Sequence, residues 1–153
     1  MKTPRVYTDT SVIGGCFDAE FAQWSNGLIE DFRLGVFRLV LSEVVAAEIE
    51  PAPNEVIQKY AELTTFSPEF VEVSNEAIAL ANAYLEHKIL DERYLRDMLH
   101  IAIATVAEVD VLTSWNFKHI VHYDKIRLFN AVNIEMGYKP LQILSPRELT
   151  RHE

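Results

Sequence analysis

Apolar positions along this chain switch repeatedly between the period of a strand and that of a helix. Arg5-Val6-Tyr7-Thr8 is a short β-branched run that predicts a strand ending at Asp9, and Thr10-Ser11 offers a cap before Val12-Ile13. Between Phe21 and Arg33 the residues Phe21, Trp24, Leu28 and Phe32 fall at helical spacing. Phe37 to Leu41 predicts a second strand, and Ser42 caps a helix from Glu43 to about Glu50. Pro51 and Pro53 break that helix, periodicity resumes from Glu55 to Leu63, and Pro68 precedes a strand at Phe70 to Val73. Ser74 or Asn75 caps a helix reaching about His87. Tyr94 to Ala107 is a helix rich in Ala, Leu and Ile, and Val109 to Ser114 has the near-continuous apolar character of a buried parallel strand. Lys125 to Met136 predicts a helix closed by Gly137, and Leu141 to Leu144 a last short strand before Ser145-Pro146-Arg147-Glu148.

Strands alternating with helices argue an α/β fold, a three-layer α/β/α arrangement around a central, mainly parallel sheet with right-handed crossovers. Ligands of such sheets bind at the carboxyl ends of the strands. A length of 153 residues fits one domain over 1–153, large enough to bury roughly two-thirds of its unfolded surface. An apolar share of 49% beside 24% charged residues is the composition of a chain with a core. The lone Cys16 excludes an internal disulfide, and neither a leader segment nor an apolar run of ~18–20 residues is present. The expectation is a cytoplasmic protein with no membrane span.

Net charge changes the functional picture. At −9, from 23 acidic and 14 basic residues, long-range electrostatics repel nucleic acid. That counts against a simple nucleic-acid-binding module but not against a nuclease, because bound divalent cations invert the local field.

The acids are unevenly placed. Asp9 ends the first strand, where it either helps form a ligand site or caps the next helix. Helical geometry puts Glu43, Ala47 and Glu50 on one face of the Glu43–Glu50 segment, while Glu48 stacks with Val44 and Val45 on the apolar side. An inward carboxylate must be paired, protonated or bound to metal. Asp97 meets the same criterion, since Ile101 and Ala104 follow it one and two turns on; an internal pair with Arg93 or Arg96 is its structural alternative. Asp91 and Glu92 read as caps or first-turn charges. The Val109–Ser114 strand delivers Thr113 and Asn116 to the same edge as Asp9, whereas Asp110 begins it at the opposite edge and reads as structural.

Hard oxygen donors from separated segments suit Mg2+ or Mn2+. Zinc is disfavoured, because His119 and His122 lie three apart without a third nearby ligand, and His100, inside the alanine-rich helix, reads as a packed, satisfied side chain. Asp9-Thr10-Ser11 lacks the second carboxylate that phosphatases with a nucleophilic aspartate carry. Gly14-Gly15 lacks the spacing of a phosphate loop and reads as a close turn or backbone approach.

These residues resemble the PIN domain, the small metal-dependent nuclease fold of VapC-type toxins. Val6-Tyr7-Thr8-Asp9-Thr10-Ser11 is similar to the opening strand and aspartate of that family, with Ser11 in a hydroxyl position that supports the metal site. Ser42 to Ile49 is similar to its second motif, with Glu48 the matching acid. Asp97 to Ala104 is similar to its most recognisable helix, and Leu112-Thr113-Ser114-Trp115-Asn116 to the strand that ordinarily ends near a fourth acid. Asn116 departs from the aspartate of many members.

The resemblance implies a ribonuclease that hydrolyses phosphodiesters with metal-activated water. Asp9, Glu48, Asp97 and Asn116 would be both the Mg2+ or Mn2+ ligands and the catalytic set, Ser11 and Thr113 would support them, and Lys118, His119 and Arg96 would contact substrate. It also implies a homodimer and a cognate antitoxin, as in a type II toxin–antitoxin pair. The rival reading is a catalytically weak or idle PIN-like domain that binds RNA or protein, favoured by Asn116 and the acidic net charge.

Overall fold

Asp9 is borne by the middle strand of the sheet. In the computed structural model, which describes residues 2–151, five strands lie in the order β3-β2-β1-β4-β5 and every adjacent pair is parallel. They are β1 (Arg5–Thr8), β2 (Arg38–Ser42), β3 (Glu69–Val71), β4 (Val111–Thr113) and β5 (Ile143–Leu144). Strand β1 runs on into α1 (Thr10–Gly15), and α2 (Ala22–Arg33) leads back to β2. Helices α3 (Glu43–Ile49) and α4 (Asn54–Thr64) separate β2 from β3; α5 (Asn75–Glu86), a 3-10 turn (Glu92–Tyr94) and α6 (Leu95–Val106) separate β3 from β4. Helix α7 (Tyr123–Glu135) precedes β5, and α8 (Pro146–Leu149) follows it.

The expected α/β alternation is therefore present. Register explains why it makes a site. Thr8 pairs with Thr113, and Ser42, at the end of β2, pairs with Val71. The carboxyl ends of β1, β2 and β4 thus emerge along one edge of the sheet, with Asp9, Glu43 and Ser114 the next residues in each segment.

The central strands carry a continuous apolar core. Val6, Tyr7, Val40, Leu41 and Leu112 are fully buried, as are Ile13 and Leu28 from the first two helices and Met98, Ile101 and Ala104 from α6. Burying each large aliphatic side chain contributes about 1.5–3 kcal/mol, so the position of α6, which packs against α5 and the sheet, is set by apolar area rather than by its polar residues. Among the described residues no helix is long and apolar enough to cross a membrane.

Several element ends differ from the sequence expectation by one or two residues, β3 (Glu69–Val71 rather than Phe70–Val73) among them, and three differences bear on the site or the sheet. The helix after β1 is capped by Asp9, not by Thr10 or Ser11: Asp9 Oδ1 accepts from the Val12 N–H at 3.3 Å. Strand β4 is shorter than Val109–Ser114, because the Val109 N–H turns back to Ala104 O and closes α6 through Glu108 at φ +53°. Strand β5 is likewise confined to Ile143–Leu144. Asp110 has the structural role expected of it, accepting the Arg5 N–H at 2.7 Å at the far edge of the sheet. Ser42, Ser74 and Asp91 cap the elements they precede, Ser145 and Glu148 form a capping box, and Gly137 closes α7 at φ +89°.

Candidate active site

Asp9 leaves β1 with only 4% of its surface exposed, and hydroxyls hold both carboxylate oxygens. Ser11 Oγ donates to Oδ1 and Ser114 Oγ to Oδ2, each at 2.6 Å. Each serine also accepts a backbone N–H: Ser11 from Trp115 and Ser114 from Asn116, both at 2.9 Å. The turn after β4 is thereby stitched to the start of α1. Burial dominates the ionisation of Asp9 and pushes its carboxyl above the ordinary range, while the His100 imidazole, the two hydroxyls and the Val12 N–H pull it back.

Glu48 approaches from α3. Its Oε1 accepts the Thr10 hydroxyl at 2.7 Å and lies 2.7 Å from His100 Nε2. Burial works against its charge, but the His100 hydrogen bond and attraction, the Thr10 hydroxyl and the Arg96 guanidinium outweigh it, and the carboxyl sits below its ordinary value. The same imidazole reaches the buried Tyr7 hydroxyl through Nδ1 at 2.6 Å, and Tyr7 Oη lies 2.6 Å from Ser42 Oγ.

Asp97, in the first turn of α6, is held by His119: Nδ1 is 3.1 Å from Asp97 Oδ2, and the imidazole packs on Tyr94 at 3.9 Å between ring centroids. The alternative pairing of Asp97 with Arg93 or Arg96 does not form, since Arg93 binds Asp91 instead. Glu48 and Asp97 line one groove of about 540 Å³ together with Arg93, Tyr94 and Arg96. Glu48 Oε2 and Asp97 Oδ1 accept no hydrogen bond from the described residues.

Other expected site residues fall at different distances from this cluster. Asn116 Oδ1 accepts the His119 N–H at 3.0 Å and caps its own turn. Arg96 and Lys118 are exposed. Thr113 is fully buried and its hydroxyl has no hydrogen-bond partner, like that of Thr8 beside it in register. The hydroxyl from this strand end that reaches Asp9 is that of Ser114, one residue on. Of the glycine pair, only Gly15 sits at a close approach: a Cβ there would lie 2.7 Å from the Trp115 indole nitrogen.

The sequence gives no site role to Thr10, Ser114 or Tyr7, and reads His100 as packed and satisfied without naming its partners. His100 is indeed buried and satisfied, but through a site acid. The signal was available, because an imidazole on the inward stripe of a helix requires partners for both nitrogens, the same argument that singles out Glu48.

In kind, the donor set fits a hard divalent cation: three carboxylates, two with a free oxygen and one held buried without a compensating positive charge at hydrogen-bond distance. In arrangement it is not a closed cage, since among the described residues no three His, Cys, Asp or Glu side chains are grouped to hold an ion.

No protein-family model matches the sequence, and no curated protein matches it. Solved structures do resemble it. VapBC2 from Rickettsia felis bound to a DNA fragment from its promoter superposes with a TM-score of 0.56 at 15% identity, covering 92% of this chain and 98% of that one. FitAB bound to an IR36 DNA fragment gives 0.59 at 14% identity, covering 97% and 99%. Tyrosyl-tRNA synthetase from Archaeoglobus fulgidus in complex with L-tyrosine gives 0.50 at 13% identity, covering 95% of this chain and 55% of the synthetase. The two end-to-end matches are to PIN proteins of these complexes, and with the parallel β3-β2-β1-β4-β5 sheet they identify the fold of this chain as that of the PIN domain.

Proposed function

We propose that this protein is a divalent-metal-dependent ribonuclease and the toxin of a type II toxin–antitoxin pair. The observation that carries the reading is that Asp9 emerges at the carboxyl edge of the sheet while Glu48 and Asp97, from two other segments, line one groove, with hydroxyls or imidazoles holding each carboxylate. Among the described residues no Lys or Arg forms a salt bridge with any of the three; Glu48 and Asp97 are held by His100 and His119 instead.

Magnesium or manganese bound there supplies Lewis acidity, lowering the pKa of a water and offsetting charge that develops on the phosphate. Asp9, Glu48 and Asp97 would hold the ion. Ser11, Ser114 and Thr10 keep two of those carboxylates oriented, and His119 sets the third. Arg96, exposed on the rim of the groove, supplies positive charge to a phosphate approaching a chain whose net charge is −9. The end-to-end likeness to VapBC2 and FitAB, both solved as complexes on DNA, supports an antitoxin partner; a homodimer belongs to the same proposal.

A second reading, an idle PIN-like domain that binds RNA or protein, is favoured by the engagement of Asn116 Oδ1 in its own turn and by the open arrangement of the acids. One assay separates the two. Single-stranded and structured RNA are incubated with wild type and Asp97→Asn in magnesium, manganese or EDTA. Metal-dependent cleavage that Asp97→Asn abolishes supports the nuclease. No cleavage, together with no heat of metal binding, supports the idle domain, and equal cleavage by both proteins rejects the site.

A further inference from the structure

Ser42, Tyr7, His100 and Glu48 form one unbroken line of hydrogen bonds from the end of β2, across the central strand, to the rim of the groove. Its links are 2.6, 2.6 and 2.7 Å long. Ser42, Tyr7 and His100 are at most 2% exposed, so water does not substitute for any of these partners. Hydrogen accounting fixes their direction. Ser42 Oγ already accepts the Val45 N–H as the cap of α3. If its hydroxyl donates to Tyr7, Tyr7 donates to His100 Nδ1 and His100 Nε2–H donates to Glu48, every hydrogen and every acceptor in the line is used. The reverse direction leaves the Ser42 hydroxyl hydrogen buried without an acceptor, and a doubly protonated His100, donating to Tyr7 from Nδ1, strands one hydrogen of the Ser42–Tyr7 pair in the same way, each at the cost of an unmade hydrogen bond.

A second donor reaches the same carboxylate oxygen. Thr10 Oγ1 and His100 Nε2 both converge on Glu48 Oε1, and neither touches Oε2. Two donors on one oxygen define the carboxylate plane and leave the other oxygen for an incoming group. Asp97, across the groove, repeats the pattern with His119 on Oδ2 and Oδ1 free.

We propose that Tyr7 and His100 are positioning residues that hold Glu48 through a tautomer-fixed relay: Tyr7 keeps the imidazole in its Nε2–H form, and that N–H with Thr10 presents Glu48 Oε2 to a divalent cation in the groove shared with Asp97. This rests on the nuclease reading for the identity of the cation, but not for the relay itself. His100 touches neither metal nor substrate; it acts only through Glu48. Partners of this kind typically change metal affinity by about 10–100-fold.

The test uses the full chain. Long-range 1H–15N correlation spectra of the metal-free protein read the tautomer of His100, and titration with Mn2+ followed by electron paramagnetic resonance reads affinity, for wild type, Tyr7→Phe, His100→Gln and His100→Leu; circular dichroism melts verify folding. Wild type is expected to show a single Nε2–H tautomer that Tyr7→Phe disrupts. His100→Leu is expected to weaken Mn2+ by about 10-fold or more, and His100→Gln, whose amide N–H still reaches Glu48, to restore most of the affinity. A folded His100→Leu with wild-type Mn2+ affinity, or an Nδ1–H, mixed or doubly protonated His100 in wild type, overturns the relay. Absence of Mn2+ binding by wild type, with the single tautomer present and lost in Tyr7→Phe, overturns the nuclease reading alone and supports the relay.

Discussion

The side-chain oxygen of Asn116 accepts the backbone N–H of His119 at 3.0 Å, so Asn116, just past the end of β4, caps the turn that places His119 against Asp97. Aspartate caps as well as asparagine does. Asn116→Asp is therefore expected to keep the stability of the wild type while adding a carboxylate to the edge, and to tighten Mn2+ binding in calorimetric titration. Asn116→Ala is expected to cost about 0.5–2 kcal/mol in chemical denaturation and to weaken binding through the displaced His119. Equal affinity in all three proteins would remove Asn116 from the site.

Asp9 carries a cost that shows only without metal. Its folded pKa is raised by burial. For an acid, that sign means the ionised form is disfavoured in the folded state, so the penalty is full above the folded pKa and vanishes as pH falls. Asp9→Asn removes the charge and keeps an oxygen for Ser11 and Val12. At neutral pH in EDTA the variant is expected to be the more stable protein, by about 0.5–2 kcal/mol, as for other sites that trade stability for function. Its advantage should shrink on acidification, and added Mn2+ should raise the melting temperature of the wild type but not of Asp9→Asn. A variant less stable than wild type at neutral pH in EDTA would mean that the Ser11 and Ser114 hydrogen bonds already offset the burial of the charge.

Period and punctuation made most of this fold readable. β-branched runs between helical segments give the α/β order, and inward placement on a helix distinguishes Glu48 from Glu43 and Glu50, both exposed in the structure. What the sequence did not reveal depends on contacts between segments far apart in the chain. Ser114 and Thr113 are adjacent and chemically alike; only the exit angle of the chain after β4 decides that Ser114 meets Asp9, 105 residues away, while the Thr113 hydroxyl stays unpartnered. His119 looked like a surface substrate contact, yet Tyr94 and Asp97 enclose it, and no local pattern encodes that packing. Strand ends were overrun for a related reason: apolar continuity at Val109 continues past the ladder because the same residue closes the preceding helix.

Glu48 has the opposite sign to Asp9. Its folded pKa lies below the ordinary value of 4.5 despite burial, because His100, Thr10 and Arg96 favour the charged form. Its contribution to stability is present above the unfolded value and lost as pH falls through the folded one. Comparing wild type with Glu48→Gln by urea denaturation from neutral to acid pH, wild type is expected to be more stable near neutrality by on the order of 1 kcal/mol, the margin of a charge-assisted hydrogen bond over a neutral one. That margin should close as pH falls below about 4.5. A margin independent of pH would show that the carboxylate gains nothing from its charge at this position.

Gly15 joins the aromatic side of the molecule to the acidic edge. A Cβ at this position would stand 2.6 Å from Ser25 Oγ and 2.7 Å from the Trp115 indole nitrogen, two atoms joined by a buried hydrogen bond of 2.8 Å. Neither side chain can move aside freely, since Ser25 Oγ also donates to Val12 O and Trp115 stacks on Phe21 at 4.2 Å. Gly15→Ala is expected to cost about 1–3 kcal/mol by overpacking. Because the backbone N–H of the same Trp115 donates to Ser11 Oγ, and Ser11 donates to Asp9, displacement of the Trp115 residue should also reach the site. Tryptophan emission is expected to shift to the red as the Trp115–Ser25 bond opens, and Mn2+ affinity to fall with it. A shifted emission with unchanged affinity would show that the aromatic cluster and the acids are mechanically independent, and an unchanged emission that α1 shifts as a whole to make room for the methyl group.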